Sequence, residues 1–412
     1  MPADRATAWG AHVKVNSHVH LPPNFSAFSS VAEATELAAA QGVGVLGANN
    51  YYDYATYEQF AQLCLGRGIF PLFGTEVVCL DSGLQAAKVR VNDPANPGKV
   101  YLCGKGITRF DPMDAKANSL MAPVRLSDSV RTAAIIERLN EVFSARGVAM
   151  SLSEGSVKAL VAQRYRVPVE SVYLQERHVA MAFQEALFEM FSPSKRASAL
   201  GAVLQVELSK ELAAVEAQDA IRSQLMKAGK PGYVKENFVS FDHAYQLVLA
   251  LGGVPCYPVL ADGAKPVCEF EQDVPGLVRA LKERRIYCAE VVPNRNDPST
   301  LQEYVAALRS AGLPVLAGTE HNTLEMLPLE PRCADGVPLP ADVRDIAWEG
   351  ACVIAAHQYL AANGQGGYVG SEGNLDDRYQ DDEARIESYA RLGAAVIEKY
   401  AKLATSKAQG EV

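Results

Sequence analysis

Short apolar runs rich in β-branched residues alternate with stretches of helical periodicity in two blocks of the chain, residues 11–107 and 239–325. The runs HVKVNS (12–17), VGVLGA (43–48), IFPLFGTEVVCL (69–80), KVYLCGKGI (99–107), GVPCYPVL (253–260), RIYCAEVV (285–292) and LPVLAG (313–318) predict strands. Strands that alternate with helices lie parallel in one sheet, and seven of them suit a barrel better than a small open sheet. Between them, VAEATELAAAQG (31–42) and FDHAYQLVLALGG (241–253) read as amphipathic helices, with Ser29 or Ser30 and Ser240 placed to cap their N-termini. Each ends at glycine, as a helix stopped by a left-handed residue does.

From 108 to 238 the strand pattern almost disappears, and Ala-, Leu-, Glu- and Arg-rich segments such as SVRTAAIIERLNEVFSARG and ERHVAMAFQEALFEMF take over. This predicts a helical insertion, read as a cap on the barrel. Residues 326–412 form a helical extension ending in the charged pattern DDEARIESYARLGAAVIEKYAKL, a packing helix. The Gly-rich segment 363–374 is a loop without the Lys-Ser/Thr continuation of a phosphate-binding loop. The expected fold class is therefore α/β: one distorted (β/α)7 barrel interrupted by helices, not two independent domains.

Composition narrows the function classes. With 39 basic and 48 acidic side chains the formal charge is −9, which argues against a surface that coats nucleic acid. No apolar run approaches the roughly 18 residues of a membrane helix. The first residues lack a basic segment leading into a long apolar core, so the expected compartment is the cytoplasm. Eight cysteines stand singly, without a CxxC pair and often inside apolar runs, which predicts buried thiols in place of disulfides or a zinc knot.

The chemistry gathers at predicted strand ends. His18 and His20 close the first strand; side chains two apart share a face, about 7 Å apart at Cα by strand rise, and can converge on one ion. Glu76, flanked by Phe, Val and Val, needs a cation, hydrogen bonds or solvent, because burying it alone would cost several kcal/mol. Glu320 and His321 follow the last strand in Gly-Thr-Glu-His, echoing Gly-Thr-Glu at 74–76. Such a mixed nitrogen and oxygen set suits zinc, manganese or iron and not calcium. His12, His243 and His357 read as structural, while Lys105 and Arg295 could clamp an anion but read more readily as solvated charges.

In this order the motifs resemble those of PHP (polymerase and histidinol phosphatase) domain proteins, specifically the stand-alone bacterial phosphoesterases with a helical insertion. His18-Val19-His20 matches the family's first motif, Glu76 its bridging glutamate, and Gly318-Thr319-Glu320-His321 takes the place of its closing Gly-Ser-Asp-x-His. ERHVAMAFQEALFE at 176–189 resembles the insertion's Arg-Pro-His-Ile-Ala segment, and the likeness spans about residues 12–325. It implies a PHP-type barrel at 11–107 and 239–325, an insertion at 108–238, and a divalent transition metal held by His18, His20, Glu76 and Glu320. It further implies a small phosphorylated substrate, bound by Arg177 and His178 and by pocket residues Asn50 and Asn294. His321 is the candidate general acid or base, with Tyr257 second.

Departures from the family are also plain. Its Thr-Asp-His after the second strand is Ala48-Asn49-Asn50-Tyr51 here, its following His falls in Tyr101-Leu102-Cys103-Gly104, and its Ala-His-Pro is Cys256-Tyr257-Pro258. Asn and Tyr are weak ligands for these metals, so one firmly bound ion is expected where the family holds three. One ion suffices for hydrolysis. Two other readings fit the same residues: an amidohydrolase-like enzyme acting on a C–N or ester bond, and a catalytically degenerate binding module.

Overall fold

The computed structural model describes residues 12–208 and 212–408, and each of the seven apolar runs forms a strand in it. In chain order the strands are β1 (Lys14–Val19), β2 (Val43–Ala48), β3 (Phe70–Leu80), β4 (Lys99–Lys105), β5 (Val239–Ser240), β6 (Val254–Val259), β7 (Cys288–Val291) and β8 (Val315–Ala317). β5 is a two-residue addition paired with β3; the others follow the order β1-β2-β3-β4-β6-β7-β8. The two ends of that path meet: Glu320 N–H donates to His18 O, His20 N–H donates to Glu320 O, both at 2.8 Å, and Val19 bridges Glu320. The result is a nearly closed seven-strand barrel.

The strand–helix alternation predicts an all-parallel barrel, and the structure departs from it at one strand. β4 runs antiparallel to both β3 and β6, while β1-β2-β3 and β6-β7-β8 are parallel. A parallel return needs a crossover, usually a helix. After β3 the chain instead folds back on itself, with Asp81 N–H donating to Gly98 O at 2.8 Å. β3 thus changes partner along its length: residues 70–73 pair with β2 and residues 74–80 with β4.

The helices are α1 (Val31–Ala40), α2 (Tyr57–Gly66), α3 (Ser82–Ala86), α4 (Ala115–Ala145), α5 (Glu154–Tyr165), α6 (Glu176–Met190), α7 (Pro193–Leu204), α8 (Ala214–Ile221), α9 (Phe241–Ala250), α10 (Val274–Glu283), α11 (Pro298–Ser310), α12 (Ala341–Ala362) and α13 (Asp382–Ala408). Ser30 and Ser240 cap α1 and α9, accepting from the N–H groups of Glu33 and His243. None of the described helices is long and apolar enough to cross a membrane. All eight cysteines are free and buried.

Two compact units divide the chain. One comprises the described parts of Met1–Leu21, Ala27–Met121 and Val239–Val412; the other comprises Pro22–Ser26 and Ala122–Phe238. The first therefore contains both the barrel and the C-terminal helices. Within it α12 is buried continuously from Ile346 to Gln358. Gly393 lets α13 approach it closely, since a Cβ there would stand 1.7 Å from Cys352 O. Buried Arg309 on α11 binds Glu349 of α12 and, at 2.8 Å, Glu383 of α13, so the buried Glu349 carboxylate has a cationic partner. The second unit is helical, with a core that includes Phe143 and Phe183 at 5.1 Å between ring centroids.

The seam between β1 and β8 leaves no slack. A Cβ on Gly318 would lie 2.3 Å from His18 Cβ and 3.0 Å from His18 N. Gly318→Ala is expected to cost about 1–3 kcal/mol, the usual range for overpacking, read as a lower urea midpoint at constant m-value; an unchanged midpoint would show that the seam can open.

Candidate metal centre

β1 delivers His18 and His20 to the closing end of the barrel, and β3 delivers Glu76 just beyond the point where it leaves β2. All three are buried, at 1%, 0% and 5% exposure. His18 Nε2 lies 3.3 Å from His20 Nε2 and 3.5 Å from Glu76 Oε2, and His20 Nε2 lies 3.3 Å from the same carboxylate oxygen. A tetrahedral cation with bonds of about 2.0–2.1 Å sets its nitrogen and oxygen ligands roughly 3.3–3.4 Å apart. The three atoms therefore form one face of such a site. Glu76 Oε2 makes no hydrogen bond with the described residues, a costly arrangement for a buried acceptor unless a cation takes it. The donor chemistry, the spacing and the unbonded Glu76 Oε2 together fit a divalent cation.

A second layer fixes the first. His18 Nδ1 is 2.7 Å from Glu290 Oε2, which assigns the Nδ1 proton to that bond and directs the Nε2 lone pair at the ligand cluster. Glu290 also accepts from Lys105 Nζ at 2.7 Å and from Ser17 Oγ at 2.6 Å, and Lys105 donates to Ser17 O at 3.2 Å. Burial raises the Glu290 carboxyl, but Lys105 and His18 more than reverse this and hold it well below the usual range. Burial lowers His18, and Glu290 opposes it strongly enough to leave the imidazole well above its ordinary value, so a cation at Nε2 would have to displace a proton to gain the lone pair. For Glu76 burial again raises the carboxyl, and the two imidazoles outweigh it, so it stays ionised.

Lys105 is thus not the solvated charge that the sequence suggests; it is 3% exposed and neutralises a buried acid. Alternation along the strands carries the signal: Lys105 is two residues from Cys103 on β4, and Glu290 two from Cys288 on β7, so each points to the same side as a buried thiol. Asn49 is a further inward residue, with Nδ2 3.3 Å from His18 Nε2 and 3.5 Å from Cys103 Sγ. Tyr51 stacks on His20 at 4.9 Å, covering the ring.

Other predicted site residues are placed differently. Glu320 meets the two histidines through its backbone, but its carboxylate binds Arg295 and, at 2.9 Å, Asn322 Nδ2. His321 has both ring nitrogens occupied, by Thr319 Oγ1 at 2.7 Å and Leu327 O at 2.9 Å, and stacks on Phe28. Burial lowers its pKa, which suits a neutral ring bonded on both sides better than a proton donor. Tyr257 donates to buried Glu271 at 2.8 Å, away from the histidines. Asn50 uses its whole amide on the Leu21 backbone, accepting from N–H at 2.8 Å and donating to C=O at 3.0 Å, so it holds the end of the His-x-His segment. Asn294 sits in the turn after β7 with a buried, unbonded Oδ1.

Arg177 and His178 belong to the second unit. His178 is fully buried, accepts from Gln175 N–H at 3.1 Å, and is pushed by burial down to about 3, so it is a neutral capping residue and not an anion clamp. The Arg177 guanidinium lies over Phe25 and 3.8 Å from Asp219. His357 Nε2 donates to Gly252 O within the core, and His243 Nε2 donates to Leu120 O, in keeping with structural roles.

No protein-family model and no curated protein matches the chain. Among solved structures, a candidate metal-dependent phosphoesterase from Bifidobacterium adolescentis shares 15% identity at a TM-score of 0.52, over 80% of this chain and 94% of that one. An amidohydrolase from Chromobacterium violaceum, determined with bound sulfate and no metal, shares 16% identity at a TM-score of 0.50, over 78% and 93%. At such identities the likeness establishes the fold: a distorted barrel with helical additions.

The buried charge network should respond non-additively. Lys105→Met is expected to destabilise the protein by about 3–5 kcal/mol, because it strands Glu290, and adding Glu290→Gln should recover part of that loss. Chemical denaturation of the two single variants and the double variant tests this; strictly additive losses would mean that the pair is not coupled.

Proposed function

We propose that the protein is a metal-dependent hydrolase, and specifically a phosphoesterase acting on a small phosphorylated molecule in the cytoplasm. The observation that carries this reading is the triangle of His18 Nε2, His20 Nε2 and Glu76 Oε2 with 3.3–3.5 Å edges, backed by Glu290 on His18 Nδ1. These three residues would hold one divalent transition ion, zinc, manganese or iron by the chemistry of the donors. When bound, such an ion polarises a phosphoryl or carbonyl oxygen and makes water acidic enough to attack near neutral pH.

This chain's own residues do the rest. Glu290 keeps His18 in the tautomer that offers Nε2, and Lys105 keeps Glu290 charged by local neutralisation. Asn50 fixes the backbone beyond His20. Tyr51 covers the His20 ring and excludes water from that side. Eight buried free thiols accord with a reducing compartment. The resemblance to PHP phosphoesterases favours a phosphate ester over an amide.

Metal analysis of the purified protein is expected to return about one equivalent of ion per chain, with His18→Ala and Glu76→Ala each stripping it. Retention of the metal in both variants would remove the centre from consideration. The loaded protein is further expected to release phosphate from a panel of nucleotides and sugar phosphates, and to stop when chelated. Turnover confined to amide or ester substrates would make it an amidohydrolase-like enzyme, and silence on both panels would make it a binding module.

A further inference from the structure

Two N–H donors converge on one carboxylate oxygen at the edge of the metal centre. Arg295 Nη2 and Asn322 Nδ2 both bind Glu320 Oε2. Glu320 is held at the seam by its backbone, which bonds to His18 O and His20 N–H at 2.8 Å each, so this ion pair is fixed beside the His-x-His segment. Its backbone and that of His321 are left-handed, at φ 63° and 52°, an arrangement that non-glycine residues keep only where their surroundings impose it and that clusters at functional sites. The Glu320 side chain is 11% exposed and the Arg295 side chain 36%, so the arginine is the more open member of the pair.

A guanidinium and an amide N–H aimed at a single anionic oxygen make a receptor for an oxyanion, and arginine's planar fork matches phosphate as well as carboxylate. We propose that Arg295, with Asn322, is the anion-recognising element of the centre, and that Glu320 occupies it as an internal stand-in for a phosphoryl oxygen until substrate displaces it. This deepens the phosphoesterase reading and rests on it. It assigns the substrate's phosphate to the Arg295 side of the metal, and it gives Glu320 the role of competitor in place of metal ligand.

The test uses the full chain and inorganic phosphate as the probe, titrated calorimetrically into metal-loaded and chelated protein, with metal content measured on the same samples. Glu320→Gln is expected to keep its metal and to bind phosphate more tightly, because the competing charge is gone. Arg295→Ala is expected to keep its metal and to weaken phosphate roughly tenfold or more, the equivalent of one charge-assisted hydrogen bond. Arg295→Lys, which retains the charge without the fork, should fall between, and it carries the comparison if the alanine variant does not fold. Loss of metal from Glu320→Gln would make Glu320 a ligand and overturn the proposal, as would phosphate affinity indifferent to both Arg295 variants or absent from wild type and Glu320→Gln alike. Wild-type protein that takes up no metal would instead defeat the hydrolase reading, while the phosphate titrations of chelated protein would still decide the role of Arg295.

Discussion

The buried carboxylate of Glu290 is the interaction on which the rest of the centre depends. It ties β7 to β4 through Lys105 and to β1 through Ser17 and His18, all within the barrel. An isolated charge there would be expelled or neutralised, because burying it unpaired costs several kcal/mol. Three donors around one acid make the arrangement tolerable, and they also settle which nitrogen of His18 faces the ligand cluster. Stability and site geometry therefore share the same atoms: the network that permits a charged barrel interior also orients the His18 imidazole in the candidate metal centre.

The antiparallel β4 shapes what lies beside that network. Because β3 exchanges β2 for β4 at Gly74, Glu76 is carried past the end of β2 and opposite Cys103 in the ladder. Cys103 in turn faces Cys256, and Cys256 faces Cys288, so an acid and three thiols form one continuous row across four strands. Burial pushes the Cys103 and Cys256 thiols up, while the two imidazoles keep Glu76, at the end of the row, ionised. The fold itself does not choose the reaction. Structures of the same fold include a candidate phosphoesterase and an amidohydrolase, and function resides in residues grafted on a shared frame.

Much of the architecture was legible in the sequence. Strand positions followed from apolar runs, with β2 recovered at both ends, and the Ser30 and Ser240 caps followed from residue type. The helical character of the insertion was readable too, although the second unit begins at Ala122 and also takes in Pro22–Ser26. His18, His20 and Glu76 were identifiable because each interrupts or ends an apolar run where the chain can only tolerate it for a purpose. The direction of β4 was not readable, since alternation of strands and helices says nothing about a connection that simply turns back.

What the sequence determined by itself was local: which segments extend, which coil, where helices start, and which polar residues sit at strand ends. Partner choice belonged to the tertiary structure. Lys105 and Arg295 look alike in the sequence, yet one is buried against Glu290 and the other is half-exposed against Glu320. Asn49 and Asn50 are neighbours, yet one faces His18 and the other grips the Leu21 backbone. Glu320 follows the last strand as a metal ligand would, but its side chain goes to Arg295. The physical reason is common to all three cases: a charge or amide is satisfied by whatever group closure of the barrel brings within about 3 Å, and these partners come from strands and turns up to hundreds of residues away in the chain.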